Sequence, residues 1–341
     1  MKKPVRRPTQ TTIPWPRVRR PKKTMPFRFI DLFAGIGGTR LAFEAVGGEC
    51  VFSSEWDKDA QKTYAANFKE TPHGDITKIK AAEIPDFDVL LAGFPCQPFS
   101  SIGQRQGFKH KTQGTLFYDV LRILEEKRPA AFLLENVVGL VNHDGGNTFA
   151  VILSSLDDLG YSVHHQILDA ADYGVPQHRK RIYIVGYDKS RLTRGVSHFW
   201  PNRSRKNSVI GPFVEKGITD RTISKHLQKA YLFKIDDGRP ELIDRRSKIK
   251  VKTLVASYHK IQRLTGTFVK DGPTGLRLLT DNECKAIMGF PKSFKFPVSR
   301  MQVYRQLGNS VAVPVVKAIA KEMLTTLVDG LPKKRVKRNA K

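Results

Sequence analysis

The chain has 341 residues, 40% of them hydrophobic, and sets 59 Lys and Arg against 32 Asp and Glu, a formal net charge of +27. That length and apolar content exclude a disordered or fibrous chain and leave room for one large α/β unit with a smaller lobe. The charge points to an acidic polymer as partner, nucleic acid above all. No apolar run of about 18 residues marks a membrane span, and no secretory leader is evident. Cys50, Cys96 and Cys284 lack the spacing of a disulfide framework or a zinc cluster. A reducing, cytoplasmic setting is expected, without membrane partner or metal.

Residues 1–26 hold nine Lys and Arg, several prolines and no acid, the composition of a disordered basic arm. From residue 27 to 187, short β-branched or aromatic runs alternate with amphipathic segments, the pattern of βαβ units and a mostly parallel sheet. Strands are predicted over 27–32, 50–54, 89–92, 130–134, 161–168 and 181–187, and helices over 38–45, 57–68, 116–127 and 149–159. Over 188–276 the alternation gives way to a polar, basic stretch that reads as an inserted lobe. Helical pattern returns in 277–330. Thr280 to Glu283 forms a capping box before Ala286, Ile287 and Met288, and a further helix is predicted over 310–327. Residues 331–341 read as a solvated basic tail with nonspecific affinity for phosphates, although 332–338 also resembles a nuclear localisation signal.

Four segments carry chemistry. Asp31-Leu32-Phe33-Ala34-Gly35-Ile36-Gly37-Gly38 follows the first strand and opens a helix, as a nucleotide-binding glycine loop does, although a plain tight turn has the same composition. Glu55 ends the second strand where a Rossmann fold places the carboxylate that holds ribose hydroxyls. Trp56 is a candidate platform for adenine, and Asp75 belongs to the same cleft. Arg40 replaces the third glycine of a dinucleotide loop and acids surround the turn, so a phosphate-free, cationic ligand such as S-adenosylmethionine fits better than NAD. Cys96, between Pro95 and Gln97 after the apolar run 89–92, is placed like a nucleophile at a strand end, or is a small buried hydrophobe. Glu135 follows Ala131-Phe132-Leu133-Leu134 and is expected at the same sheet edge. Arg179 and Arg181 share one side of an extended segment by period-two alternation, suited to carbonyl or phosphate oxygens or to an exposed strand edge.

In order, Phe-x-Gly-x-Gly, Pro-Cys-Gln, Glu-Asn-Val, Gln-x-Arg-x-Arg, a variable region, Arg277-x-Leu-Thr-x-x-Glu283 and Gly308-Asn309-Ser310-Val311 resemble the motif set of the C5-cytosine DNA methyltransferases, over about residues 27–327. The resemblance implies a Rossmann-like, S-adenosylmethionine-dependent fold with domains over 27–187 (catalytic and cofactor-binding), 188–276 (target recognition) and 277–330. It implies Cys96 as nucleophile at carbon 6 of a flipped cytosine, Glu135 as the acid at N3, and Arg181 with Arg179 near the base and its phosphates. Cofactor contacts are implied at Phe33, Ala34, Gly35, Gly37, Gly38, Glu55, Trp56, Asp75, Ile76, Pro95, Leu116, Asn309 and Ser310. DNA contacts are implied at Gln97, Ser100, Ser101 and Arg105 of a closing loop, at Gln177, and at Thr253 and Leu254, although Lys252-Thr253-Leu254 also reads as a short strand in the core of the lobe. The expected partner is double-stranded DNA, bound by a monomer that is the modification enzyme of a bacterial restriction-modification system and has a cognate endonuclease acting on the same site. An RNA cytosine methyltransferase with the same catalytic set is the alternative.

Overall fold

Six strands form one sheet in the order β2-β1-β3-β4-β6-β5: β1 Arg28–Leu32, β2 Glu49–Ser54, β3 Val89–Ala92, β4 Ala131–Val137, β5 Tyr161–Asp169 and β6 Lys180–Asp188. The computed structural model describes residues 27–95, 116–191 and 198–330. Strands β1 to β4 run parallel and β6 is antiparallel to both its neighbours. The principal helices are α1 Gly38–Glu44, α2 Lys58–Phe68, α3 Leu116–Lys127, α4 Asn147–Asp158, α5 Asp281–Met288, α6 Arg300–Asn309 and α7 Val313–Gly330.

Helices cover both faces of the sheet, which is why the central strands read as unbroken apolar runs. In β3 alternate residues divide between two cores. Val89 and Leu91 pack with α1, α5, α6 and α7, whereas Leu90 and Ala92 pack with α3 and α4. Phe29 and Ile30 of β1 divide the same way, as the two-residue period of a strand requires.

Register decides what emerges at the carboxyl edge. Leu32 pairs with Ala92, and Ala92 with Leu134, so Phe33, Gly93 and Glu135 leave the sheet side by side. Strand order turns in opposite directions on the two sides of β1, which makes this edge the crevice where open α/β sheets bind ligands. Because β6 runs backwards against β4, Arg181 lies opposite Val137.

Most predicted bounds shift by one or two residues, and two larger differences bear on the site. Glu135 belongs to β4 itself, whose pairing with β6 continues through Val137. The helix expected over 310–327 begins at Val313, and α6 precedes it, with an extended Ser310 between them. Ser299 caps α6 by accepting from the Gln302 N–H, and the break leaves Asn309 and Ser310 at a helix end.

Residues 198–276 contain one parallel pair, β7 Glu241–Ile243 with β8 Thr267–Val269. Leu254, Tyr258 and Phe268 bury themselves in the same apolar cluster as Tyr304 and Leu307 of α6. The join is polar as well as apolar. Fully buried Arg277 donates twice to Glu283, at 2.9 Å each, to Asp271 at 3.0 Å, and to the carbonyls of Glu215 and Leu278. All five guanidinium donors are thereby used.

Candidate active site

A cavity of about 420 Å³ opens at the carboxyl edge of β1 to β4. Its floor is the turn after β1, where Phe33, Gly35 and Gly37 all have positive φ (54°, 55° and 82°). That turn aims the Gly35 N–H at Glu55 Oε2, 2.8 Å away, while the Asp57 N–H reaches Glu55 Oε1, also at 2.8 Å. Burial pushes the Glu55 carboxyl above its ordinary value, against the pull of these two backbone bonds. Trp56 follows with its indole 67% exposed at the cavity. Asp75 caps the turn Ile76–Lys78, accepting from the Thr77 N–H and hydroxyl, and lines the cavity with Ile76.

Phe33, Ala34, Gly35, Gly38, Pro95, Leu116, Asn309 and Ser310 also line it. Gly38 is required by close approach, since a Cβ there would lie 2.7 Å from Ser310 Oγ and 3.0 Å from Val311 Cγ2. Gly37 does not line the cavity, contrary to expectation. Its missing side chain makes room for the rings of Phe68 and Tyr64, and its left-handed backbone starts α1. Arg40, at the third-glycine position, is absent from the lining too: it is buried, donates to Glu44, Glu70 and the Tyr64 hydroxyl, and stacks 4.4 Å from the Phe68 ring.

Glu135 lines the same cavity. Its Oε1 is 3.1 Å from Arg181 Nε. Burial raises the carboxyl above its ordinary value, and the positive charges of Arg181 and Arg179 only partly oppose this. Asn136 donates to the Phe94 carbonyl at 2.9 Å and so ties the 93–95 segment to β4. Cys96 follows Pro95 in the chain and lies outside the described residues, as do Gln97, Ser100, Ser101 and Arg105.

Arg179 is buried, and desolvation followed by the charge of Arg181 pushes its pKa down to about 9, so it stays cationic at neutral pH. Its NH groups go to the carbonyls of Leu254, Gly308 and Ser310 at 2.6–3.0 Å. It clamps three segments together at the cavity wall, which leaves Arg181 as the arginine paired with Glu135. Two expected DNA contacts are corrected outright. Gln177 is fully buried, donating to the Ile287 carbonyl and accepting from the Leu254 N–H. Leu254 is buried in the core. Both satisfy or fill the interior, so neither side chain can face DNA. Thr253 is partly exposed, with its hydroxyl on the His178 carbonyl at 2.6 Å.

Sequence reasoning missed Ser54, Gln302, Arg305 and Gln306, all of which line the cavity. Ser54 Oγ, Gln302 Oε1 and Gln306 Nε2 are buried polar atoms without a partner. The signal was helical spacing: Gln302, Arg305, Gln306 and Asn309 recur at three and four residues and share one face of α6. Behind the loop, Asp31 is fully buried, with Thr39 Oγ1 on its Oδ2 at 2.5 Å, and desolvation lifts its pKa to about 7.

A family profile described as C-5 cytosine-specific DNA methylase matches residues 27–325. The chain is 58% identical over 301 residues to the Type II methyltransferase M.MspI of Moraxella sp, covering 88% of this chain and 71% of that one. It is 59% identical over 302 residues to M.BsuFI of Bacillus subtilis, with 88% and 73% covered. Among solved structures, DNMT2 of Spodoptera frugiperda superposes with a TM-score of 0.69 at 24% identity, over 89% of this chain and 99% of that one, a likeness of fold. These matches favour DNA over the RNA alternative. The chain belongs to the C-5 cytosine-specific DNA methylase family and is a DNA cytosine-5 methyltransferase.

Proposed function

We propose that this enzyme methylates one cytosine within a specific duplex sequence, with S-adenosylmethionine as donor, Cys96 as covalent nucleophile and Glu135 as the acid at N3. The observation that carries the reading is that one cavity is lined both by the half-buried Glu135–Arg181 pair and by the turn that holds Glu55 and Trp56.

The residues present fit the donor. A volume of about 420 Å³ lies in the range of small-molecule sites. Trp56 offers an exposed indole face for adenine, and Glu55 retains lone pairs for ribose hydroxyls beyond its two backbone bonds. The orphaned Ser54 Oγ, Gln302 Oε1 and Gln306 Nε2 supply the acceptors and donor that an amino-acid end needs. When bound, the donor supplies a methyl group made electrophilic by a sulfonium.

The chain's own residues do the rest. Carbon 5 of cytosine is too electron-poor to take a methyl group unaided. Addition of the Cys96 thiolate to carbon 6, with a proton passed from Glu135 to N3, makes carbon 5 a nucleophile; once carbon 5 is methylated, loss of its proton to a base, expulsion of the Cys96 sulfur from carbon 6 and return of the N3 proton restore the ring and the thiolate. The raised Glu135 carboxyl keeps its proton to higher pH than an exposed one, and Arg181 fixes its orientation. The base must leave the duplex, which costs a few kcal/mol; the net charge of +27 offsets part of this through phosphate contacts.

The Type II methyltransferases named above support a further reading. The chain acts as the modification partner of a separate endonuclease, as a monomer in the bacterial cytoplasm, with residues 188–276 as its target recognition domain. Transfer of a tritiated methyl group to duplex DNA but not to tRNA, followed by bisulfite mapping of one modified cytosine in a fixed sequence, tests the proposal.

A further inference from the structure

Among the described residues the cavity is lined by four carboxylates, Glu55, Asp57, Asp75 and Glu135, and three arginines, Arg179, Arg181 and Arg305. An anionic group that enters needs a cation whose donors are not already committed. Arg179 directs its Nη groups to the carbonyls of Leu254, Gly308 and Ser310. Arg181 holds Glu135 through Nε and the Lys180 carbonyl through Nη1. That leaves Arg305 of α6.

Among the described residues its guanidinium makes one ion pair, from Nη2 to Asp57 Oδ2 at 3.5 Å, and the side chain stays 53% exposed. Asp57 holds it without saturating it. The Asp57 Oδ1 accepts from the Asp59 and Ala60 N–H groups at 2.9 Å and caps α2, so Oδ2 alone reaches Arg305. The pair ties α6 to the start of α2 between two residues that both line the cavity. An exposed pair of this length stabilises little, so the guanidinium can exchange it for a better-placed carboxylate.

The neighbouring glutamines of α6 identify the anion. Thr63 Oγ1 of α2 donates to Gln306 Oε1 at 2.8 Å, which fixes that amide and leaves its Nε2 buried without a partner. Gln306 is only 7% exposed, and a donor so enclosed calls for an acceptor. Gln302 has the opposite lack, since its orphaned Oε1 calls for a donor. One helix thus presents an acceptor at Gln302 and donors at Arg305 and Gln306 to one cavity. An amino-acid end matches this set, with its ammonium for Gln302 and its carboxylate for Arg305 and Gln306. A DNA phosphate would satisfy the donors and leave the Gln302 oxygen unpaired.

We infer that Arg305 is the counter-ion of the methyl donor's carboxylate and exchanges its contact with Asp57 for that group; this rests on the proposed reading of S-adenosylmethionine as donor. Calorimetry on the full chain compares S-adenosylmethionine with its decarboxylated analogue, which keeps the sulfonium and the ammonium and lacks only the carboxylate. The wild type is expected to bind the parent compound about tenfold or more tighter than the analogue. Arg305→Gln is expected to weaken the parent by about tenfold or more and the analogue by less than about threefold, so that the ratio collapses. Arg305→Lys keeps the charge and loses the planar fork, and its ratio is expected to fall between the two. Melting curves of the ligand-free variants report the fold, and the lysine variant carries the test if the glutamine variant is unfolded. An unchanged ratio overturns the inference, as does an equal loss for both ligands, the mark of a merely structural role. A loss of duplex affinity with the ratio unchanged assigns the guanidinium to a phosphate and overturns it as well. A wild type that binds neither ligand refutes the donor reading and the inference with it, whereas one that binds both leaves that reading standing whatever the arginine variants show.

Discussion

Arg181 Nε stands 3.1 Å from Glu135 Oε1, and the pair shares its wall of the cavity with the 93–95 segment that leads into Cys96. Antiparallel pairing of β6 with β4 creates this relationship, because it brings a residue from the start of one strand to the end of the other. Replacing Glu135 by Gln keeps the shape and removes the transferable proton. The expected result is a loss of kcat of about 10²–10³-fold, with duplex affinity within about threefold. Single-turnover methyl transfer and a filter-binding titration measure the two quantities separately.

Gly38→Ala tests the floor of the site. The new methyl would meet Ser310 Oγ at 2.7 Å and Val311 Cγ2 at 3.0 Å, so the Ser310 hydroxyl must turn away from its place in the cavity lining. Calorimetry is expected to show S-adenosylmethionine binding at least tenfold more weakly, while the melting temperature of the ligand-free protein changes little.

Arg277 tests the join between the 198–276 segment and the rest. Arg277→Met would leave the buried Glu283 and the Asp271 carboxylate without their cation, and the expected loss is about 3–5 kcal/mol. Urea unfolding followed by circular dichroism measures it. A value below about 1 kcal/mol would mean that water or rearrangement replaces the guanidinium.

Asp31 gives a pH test with a definite sign. Its folded pKa of about 7 stands above the ordinary 3.8, because burial disfavours the charge. The neutral carboxyl is therefore the comfortable form: stability is intact below about pH 4 and falls as pH rises through 7. Asp31→Asn should stabilise the protein by roughly 1–3 kcal/mol at pH 9, after allowance for an imperfectly paired amide, and give no gain at pH 5. Melting curves at the two pH values decide it.

Much of the frame was legible from local pattern. Val89-Leu90-Leu91-Ala92 is apolar throughout because helices cover both faces, and its predicted bounds match β3. Thr280 and Glu283 form the full reciprocal capping box that their spacing indicates. Helix α6 was missed because Arg300, Gln302, Arg305 and Gln306 mix cavity-facing and solvent-facing polar groups, which blurs the apolar period. Gln177 and Leu254 were misplaced for a related reason. A polar side chain that satisfies buried backbone groups looks, in sequence, like one that reaches for a ligand, and only the tertiary pairing of Leu254 N with Gln177 Oε1 distinguishes them. The arginine at position 40 excluded a dinucleotide loop by sequence, while its own role, bonding Glu44, Glu70 and Tyr64, depends on long-range contacts.

The central claim is a bond between Cys96 sulfur and carbon 6 of an extruded cytosine in this cavity. A duplex carrying 5-fluorocytosine at the target position tests it most directly, because fluorine at carbon 5 cannot leave as a proton does. With S-adenosylmethionine present, the wild type should form a denaturation-stable protein–DNA adduct that peptide mapping assigns to Cys96, and Cys96→Ser should form none while still binding duplex. Absence of an adduct from an enzyme that methylates ordinary duplex, or an adduct on another residue, would contradict the account.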